Sequence, residues 1–334
     1  MEKNFLDKFK GCLIGVAIGD TLGRPFEGKL REKIRSKFEF FEDFLWKNKK
    51  KFSSYTDDTQ LTLHLAEALI KGGGFNMEYL IKEFVKWLED PPIGPGYGCL
   101  TSIKKLKYGI SWQKAASKSG GNGTLMRVSP IGLFYCNDLE KLLESADAQS
   151  LLTHSHPAAT AGARMMAKAV SYLTYQSIES GLDVDDFLDS IIVTTLNSQK
   201  AEWREFSEGV DLLRNNLDLT IESGLIKFSQ LGVKSPYFIE QYLGKAFVHP
   251  YALSTMICSL FMFLKKYTSL EECVFELVTA GGDTDTVGAI GGALLGTYYG
   301  YSNIPDELLS FIKNRNYIID VAERLYEGFQ KRYL

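Results

Sequence analysis

Ser54-Tyr55-Thr56-Asp57-Asp58-Thr59 stands directly ahead of Leu61, Leu65, Ala68 and Leu69, apolar positions that recur at the 3.6-residue spacing of a helix. Gly72-Gly73-Gly74 stops that stripe. Far downstream, Gly281-Gly282-Asp283-Thr284-Asp285-Thr286 opens a second apolar helical pattern, Val287 to Tyr299. Each cluster packs two carboxylates and hydroxyls into one tight turn at a helix start. Like charges so close together are unfavourable unless something cationic sits between them. The two helix starts are therefore expected to meet at one shared site. Because that site joins residues near both ends of the chain, a single domain over residues 1–334 is the economical organisation.

The rest of the chain repeats the helical period. Apolar residues spaced for helices run over Phe5 to Leu22, Met77 to Leu88, Pro157 to Tyr175, Val184 to Leu196 and Glu202 to Leu213. They continue over Tyr251 to Lys265, Leu270 to Thr279, Thr284 to Tyr299 and Tyr317 to Phe329. Period-2 alternation is almost absent, and Ile191-Ile192-Val193 continues a helical face. The expected fold class is all-α. Pro91-Pro92-Ile93-Gly94-Pro95-Gly96-Tyr97-Gly98 is expected to be a loop. Lys118 to Gly123 forms a second glycine-rich loop, and residues 218–249 carry little pattern. Val287 to Tyr299 holds four glycines and is too short for a membrane span, so it reads as a buried helix packed closely on its neighbours.

Composition narrows the function classes. The 334 residues are 45% hydrophobic and 24% charged, an ordinary globular balance. A net charge of −3 gives no nucleic-acid footprint, and Lys47, Lys49, Lys50 and Lys51 read as a solvated loop. Cys12, Cys99, Cys136, Cys258 and Cys273 are scattered and form no CxxC, so neither zinc nor a disulfide framework is indicated. A reducing, cytoplasmic setting is expected, with no secretory signal and no membrane segment.

Asp and Thr offer only oxygen ligands, which suit Mg²⁺, Mn²⁺ or Ca²⁺, whereas zinc recruits His or Cys. Six protein groups plus waters could serve two ions, which in two-metal sites stand about 3.5–4 Å apart. Asp57 and Asp283 fall where N-caps fall. Capping alone does not require Thr-Asp-Asp at one helix and Asp-Thr-Asp-Thr at another, so the metal reading is preferred over caps.

Other groups are more ambiguous. In Asp20 to Gly28, Gly23 reads as a left-handed helix stop and Pro25 as the break. Glu27 there is either a solvated loop residue or a mobile acid beside the metals. Asp20 reads as a structural hydrogen-bonding group. Ser119-Gly120-Gly121-Asn122-Gly123 lets backbone N–H groups approach an anion, but it is neither a P-loop nor a Rossmann fingerprint. Gly94, Gly96 and Gly98 carry the same ambiguity. Thr153-His154-Ser155-His156-Pro157 opens a helix, with Ser155 as the expected cap ahead of Pro157 and ligand-recognition or structural roles favoured over metal ligation. His64 and His249 have no visible partner.

Together these residues resemble the ADP-ribosylglycohydrolases, the group typified by the dinitrogenase-reductase-activating glycohydrolase and the ADP-ribosyl-acceptor hydrolases. The resemblance rests on Gly11 to Gly23 with Glu27, Tyr55 to Gln60, Gly121-Asn122-Gly123 with Met126-Arg127, Thr153-His154, and Gly281 to Thr286, in the family's order. It implies a compact, single-domain orthogonal helical bundle around a binuclear Mg²⁺ or Mn²⁺ centre. Thr56, Asp57 and Asp58 would bind from one side and Asp283, Asp285 and Thr286 from the other, with Asp285 as the bridge. It raises Glu27 to the family's acidic residue, beside Asp57 and Asp285 as catalytic groups. Gly94, Gly96, Gly98, Ser119, Gly121 and Asn122 would surround the ADP-ribose phosphates and distal ribose, and His154 and His156 would contact substrate. Gly120 departs from the larger residue relatives often carry. Asp90 is the nearest candidate for the acid of arginine-specific members.

The implied activity is release of ADP-ribose from an acceptor, an ADP-ribosylated protein or related conjugate, by a monomeric enzyme. A metal-dependent nucleotide phosphoesterase and a catalytically silent ADP-ribose binder are the competing classes.

Overall fold

Gly11, Gly15, Gly19 and Gly23 recur every four residues, so they line one face of the first helix, Glu2–Gly23. Gly288, Gly292 and Gly296 do the same on Thr284–Tyr299. The two faces meet antiparallel. A Cβ added to Gly15 would stand 2.0 Å from the Gly292 carbonyl oxygen, and one on Gly11 2.2 Å from that of Gly296. Backbone touches backbone along both helices, closer than side chains permit. Because the pair is antiparallel, the end of the first helix lies beside the start of the second: a Cβ on Gly23 would meet the Thr284 carbonyl oxygen at 2.2 Å.

The computed structural model describes residues 2–196 and 199–333, with side chains from Phe5 onward. The fold is all-α. Among the described residues no strand forms, and only isolated bridges such as Lys29 with Gly282 and Gly121 with Tyr251 occur. Thr284–Tyr299 is buried on every side except at Tyr299, as a helix apolar all round should be. Asp57–Gly72, Pro157–Thr174, Ala252–Lys266 and Arg315–Tyr333 pack around this central pair and share one continuous apolar core. No helix among the described residues is long and apolar enough to cross a membrane.

Several local expectations need correction. Gly23 is right-handed (φ −75°), and the chain passes straight into the turn Arg24–Phe26. Its glycine is needed for the close helix crossing, not for a left-handed stop. Tyr97 and Gly98 belong to the helix Tyr97–Lys107, because the last proline that blocks a helix is Pro95. The Val184 helix ends at Ile192, and residues 193–196 form turns. Within residues 218–249 a two-turn helix, Ile221–Phe228, forms, capped by Thr220. The lysine run ends the helix Phe41–Asn48 and fills the turn Lys49–Lys51, with its side chains exposed as expected.

Candidate active site

Asp20 ties the first helix to the first acidic cluster. Its buried carboxylate accepts from Thr56 N–H (2.9 Å), Thr56 Oγ1 (2.8 Å), Thr59 N–H (3.0 Å) and Thr59 Oγ1 (2.6 Å). Burial raises its pKa to about 6 even against these donors. The structural role read for Asp20 is thus observed. Thr56, not Asp57, is the N-cap of Asp57–Gly72: its hydroxyl accepts from Asp58 N–H at 3.3 Å. Asp57 is the first helical residue, so both carboxylates project from the first turn.

The second cluster is fixed by two glycines. Gly281 and Gly282 have φ of 83° and 75°, where a side chain is strained. A Cβ on Gly282 would also strike the Val248 carbonyl oxygen at 2.2 Å. Gly28 N–H donates to the Gly282 carbonyl (2.8 Å) and Gly282 N–H to Lys29 (2.9 Å), which brings Glu27 beside the cluster. Asp283 does hold the N-cap position of Thr284–Tyr299, but its side chain makes no cap bond. Its Oδ2 instead accepts from Asn122 Nδ2 at 2.5 Å, and Asn122 also donates to Thr255 Oγ1 at 2.9 Å.

Carboxylate oxygens of Glu27, Asp283 and Asp285 lie within 4.8 Å of one another. Asp57 and Asp58 face the same space. Burial first, and the charge of Asp20 among its neighbours, raises Asp57 to about 8. Asp58 is pushed well up by burial, then by Asp20, Asp57 and Asp283. Asp285 is pushed up by burial, then by Asp283, Asp58 and Glu27. Glu27, at the exposed rim, is raised by loss of water around its carboxyl and then by Asp283. Asp58 Oδ1 is buried with no hydrogen-bond partner among the described residues. An orphaned carboxylate oxygen and mutually raised acids, with no imidazole or thiolate among them, fit hard divalent cations.

The acids stand at one end of a cavity of about 890 Å³. Of the residues singled out from sequence, Glu27, Asp57, Asp58, Asp283, Asp285 and Thr286 line it, as do Gly94, Gly96, Gly98, Ser119, Gly121, Asn122, His154 and His156. Thr56 does not line it; its hydroxyl lies between Asp20 and Asp58, 3.0 Å from Asp58 Oδ2.

The glycine loops are held from outside. Gln60 Oε1 accepts from Ile93 N–H (3.0 Å) and Gln60 Nε2 donates to the Pro91 carbonyl (3.2 Å), pinning the first loop to the Asp57 helix. Gly96 N–H reaches Asp57 Oδ2 at 3.3 Å. The second loop is clamped by Ser117 N–H to the Thr153 carbonyl (2.9 Å) and Ala252 N–H to that of Gly120 (2.9 Å). His156, not Ser155, caps Pro157–Thr174: its Nδ1 accepts from Ala158 N–H at 3.2 Å, while Ser155 bonds back to Ser117.

Some lining residues were not visible in sequence. Gly232, Val233, Lys234, Ser235, Tyr237 and Tyr251 form a wall of the cavity. Tyr251 fills the space above Gly120, where an added Cβ would lie 2.6 Å from the ring. His249 also lines the cavity and bonds through Nε2 to the Tyr237 carbonyl at 3.0 Å, whereas His64 pairs with Glu83 at 3.2 Å, away from it. No local pattern marks these positions, because their role comes only from long-range apposition. Asp90 lies outside the lining.

A family model described as ADP-ribosylglycohydrolase matches residues 1–334. An ADP-ribosylhydrolase ARH3 of Xenopus tropicalis is 25% identical, with 98% of this chain and 97% of that protein covered. The ADP-ribosyl-(dinitrogen reductase) glycohydrolase of Rhodospirillum rubrum is 24% identical over 91% of this chain and 90% of its own. A solved structure, an ADP-ribosylglycohydrolase-related protein complex, superposes with a TM-score of 0.71 at 23% identity, covering 98% of this chain and 99% of that one. With the match running the full length and the sequence motifs meeting in one cavity, the chain belongs to the ADP-ribosylglycohydrolase family of hydrolases.

Proposed function

We propose that this chain hydrolyses the bond between ADP-ribose and an acceptor, using two Mg²⁺ or Mn²⁺ ions held by Thr56, Asp57, Asp58, Asp283, Asp285 and Thr286. The observation that carries the reading is the meeting of both acidic clusters and Glu27 at one end of a single cavity. Divalent ions in such a cage supply Lewis acidity and a template for vicinal hydroxyls.

The chain's own groups do the rest. Tyr97–Lys107 starts in the cavity wall without a side-chain cap, which leaves its N-terminus available to the diphosphate. Gly121 and Asn122 approach from the facing loop. Glu27 takes a proton from the water that attacks the anomeric carbon, then returns it to the departing acceptor atom as the glycosidic bond breaks. Its pKa is raised above the usual carboxylate range, by loss of water first and then by the charge of Asp283, which makes it a better proton acceptor than a solvated glutamate. The substrate is an ADP-ribosylated protein or related conjugate, and a reducing, cytoplasmic setting is consistent with five unpaired cysteines.

The test is release of free ADP-ribose from arginine- and serine-linked mono-ADP-ribosylated proteins, with Mg²⁺, Mn²⁺ or chelator. Asp57→Ala and Asp285→Ala should abolish release; unchanged turnover in both would sink the proposal. Inorganic phosphate or AMP as product would favour a phosphoesterase. Tight ADP-ribose binding with no turnover of any linkage would mark a silent binder.

A further inference from the structure

Arg127 is a fully buried guanidinium with no carboxylate partner among the described residues. Its Nε donates to Gln149 Oε1 (2.8 Å), and its Nη2 to the Gln149 carbonyl (3.0 Å) and to Thr153 Oγ1 (2.7 Å). Nη1 approaches Cys99 Sγ at 3.4 Å, and the Phe84 ring lies 4.9 Å from Cζ. The reaction proposed above gives this cation no task.

Arginine has only donors, so the Thr153 hydroxyl must accept from it. Thr153 is itself fully buried, and among the described residues the one acceptor left within reach of its own proton is His154 Nδ1 at 2.8 Å. A buried hydroxyl left without an acceptor is costly. The satisfied arrangement therefore runs in one direction: Arg127 to Thr153, and Thr153 to Nδ1. An Nδ1 that accepts places the ring proton on Nε2. Nε2 has no protein partner among the described residues, and it lies against Gly98, Gly121 and Gly123 on the cavity wall.

We propose that Arg127 and Thr153 are positioning residues that lock His154 as a neutral Nε2–H donor, aimed at an acceptor oxygen of the bound ligand. Burial first, and the nearby Arg127 charge second, pushes the His154 pKa down to about 3, so the ring stays neutral across the working range. A neutral donor holds an oxygen without exchanging protons with it. His154 is then neither a base nor a metal ligand, since the nitrogen facing the cavity already carries a proton. The ligand half of the proposal rests on the ADP-ribose reading above; the tautomer does not.

Imidazole ¹⁵N spectra of the ligand-free full chain test it, with His154→Gln used to assign the resonances. The wild type should show a pyridine-type Nδ1 and a pyrrole-type Nε2. Thr153→Ser, which keeps the hydroxyl, should retain that pattern. Thr153→Val keeps the shape but not the hydroxyl; it should lose the pattern and bind ADP-ribose about tenfold more weakly by calorimetry. A wild-type Nδ1–H tautomer would overturn the proposal, as would Thr153→Val with unchanged spectrum and affinity. The expected tautomer in a protein that binds no ADP-ribose supports the relay and overturns the ligand reading instead.

Discussion

Gly19 and Gly288 meet backbone to backbone: a Cβ on Gly19 would stand 1.8 Å from the Gly288 carbonyl oxygen and 2.1 Å from its carbon. This contact lies one residue from Asp20 and four from Thr284. It sets the distance between the end of the first helix and the start of the helix that carries Asp285. The acidic site is therefore a consequence of how closely two glycine faces approach.

Gly19→Ala should force those helices apart. Alanine gains about 1 kcal/mol in helix propensity. Overpacking against rigid backbone costs about 3 kcal/mol or more and outweighs it. Urea unfolding should show a lower midpoint, and divalent-ion binding should weaken with it. A variant as stable as the parent would contradict the close packing.

Asp57→Asn should act in opposite directions with and without metal. An unfolded Asp titrates near about 3.9, and folded Asp57 near about 8. An acid with a raised folded pKa costs the fold stability as pH climbs from the first value through the second. In chelator, Asp57→Asn should thus melt higher than the parent, with a gap that widens from pH 4 to pH 8. With excess Mn²⁺ the order should reverse, because only the parent keeps the full oxygen cage. Melting curves at several pH values decide it; a gap that shrinks with pH in chelator would refute the electrostatic account.

Glu27→Gln should separate proton transfer from assembly. Glu27 is at the rim and carries no core packing. Loss of a general acid–base group lowers kcat by about 10²–10⁴-fold. Melting temperature and ADP-ribose affinity should hold near parental values. A loss confined to KM would assign Glu27 to binding.

Asn122→Ala should loosen Asp283, whose Oδ2 it holds at 2.5 Å. Residues that orient a metal-binding group from behind are worth about 10–100-fold in affinity. Mn²⁺ titration followed by calorimetry should show a weakening of that size, with recovery in Asn122→Gln absent because the longer side chain cannot keep both Asp283 and Thr255. Parental affinity in Asn122→Ala would remove this supporting role.

The sequence by itself determined the helical class, most helix cores and the two acidic clusters. Those signals are local: apolar spacing needs only the 3.6-residue turn, and Thr56-Asp57-Asp58 or Asp283-Thr284-Asp285 crowd their charges within a few residues. It marked Glu27 only through resemblance, since a loop acid has no local signature. Charge crowding in the sequence also called for the two clusters to meet; tertiary structure decided how they do, because Gly19 and Gly288 draw their helices together and Gly282 pairs with Lys29. It alone brought Tyr251 over Gly120, placed residues 232–235 and Tyr237 in the cavity wall, and gave Asp20 its partners at Thr56 and Thr59. It also moved caps by one residue, from Asp57 to Thr56 and from Ser155 to His156, because a cap is set by which side chain reaches a backbone N–H. Spacing along a chain encodes what one helix does. The meeting of two helices depends on backbone approach between residues far apart in sequence, and no single stretch carries that distance.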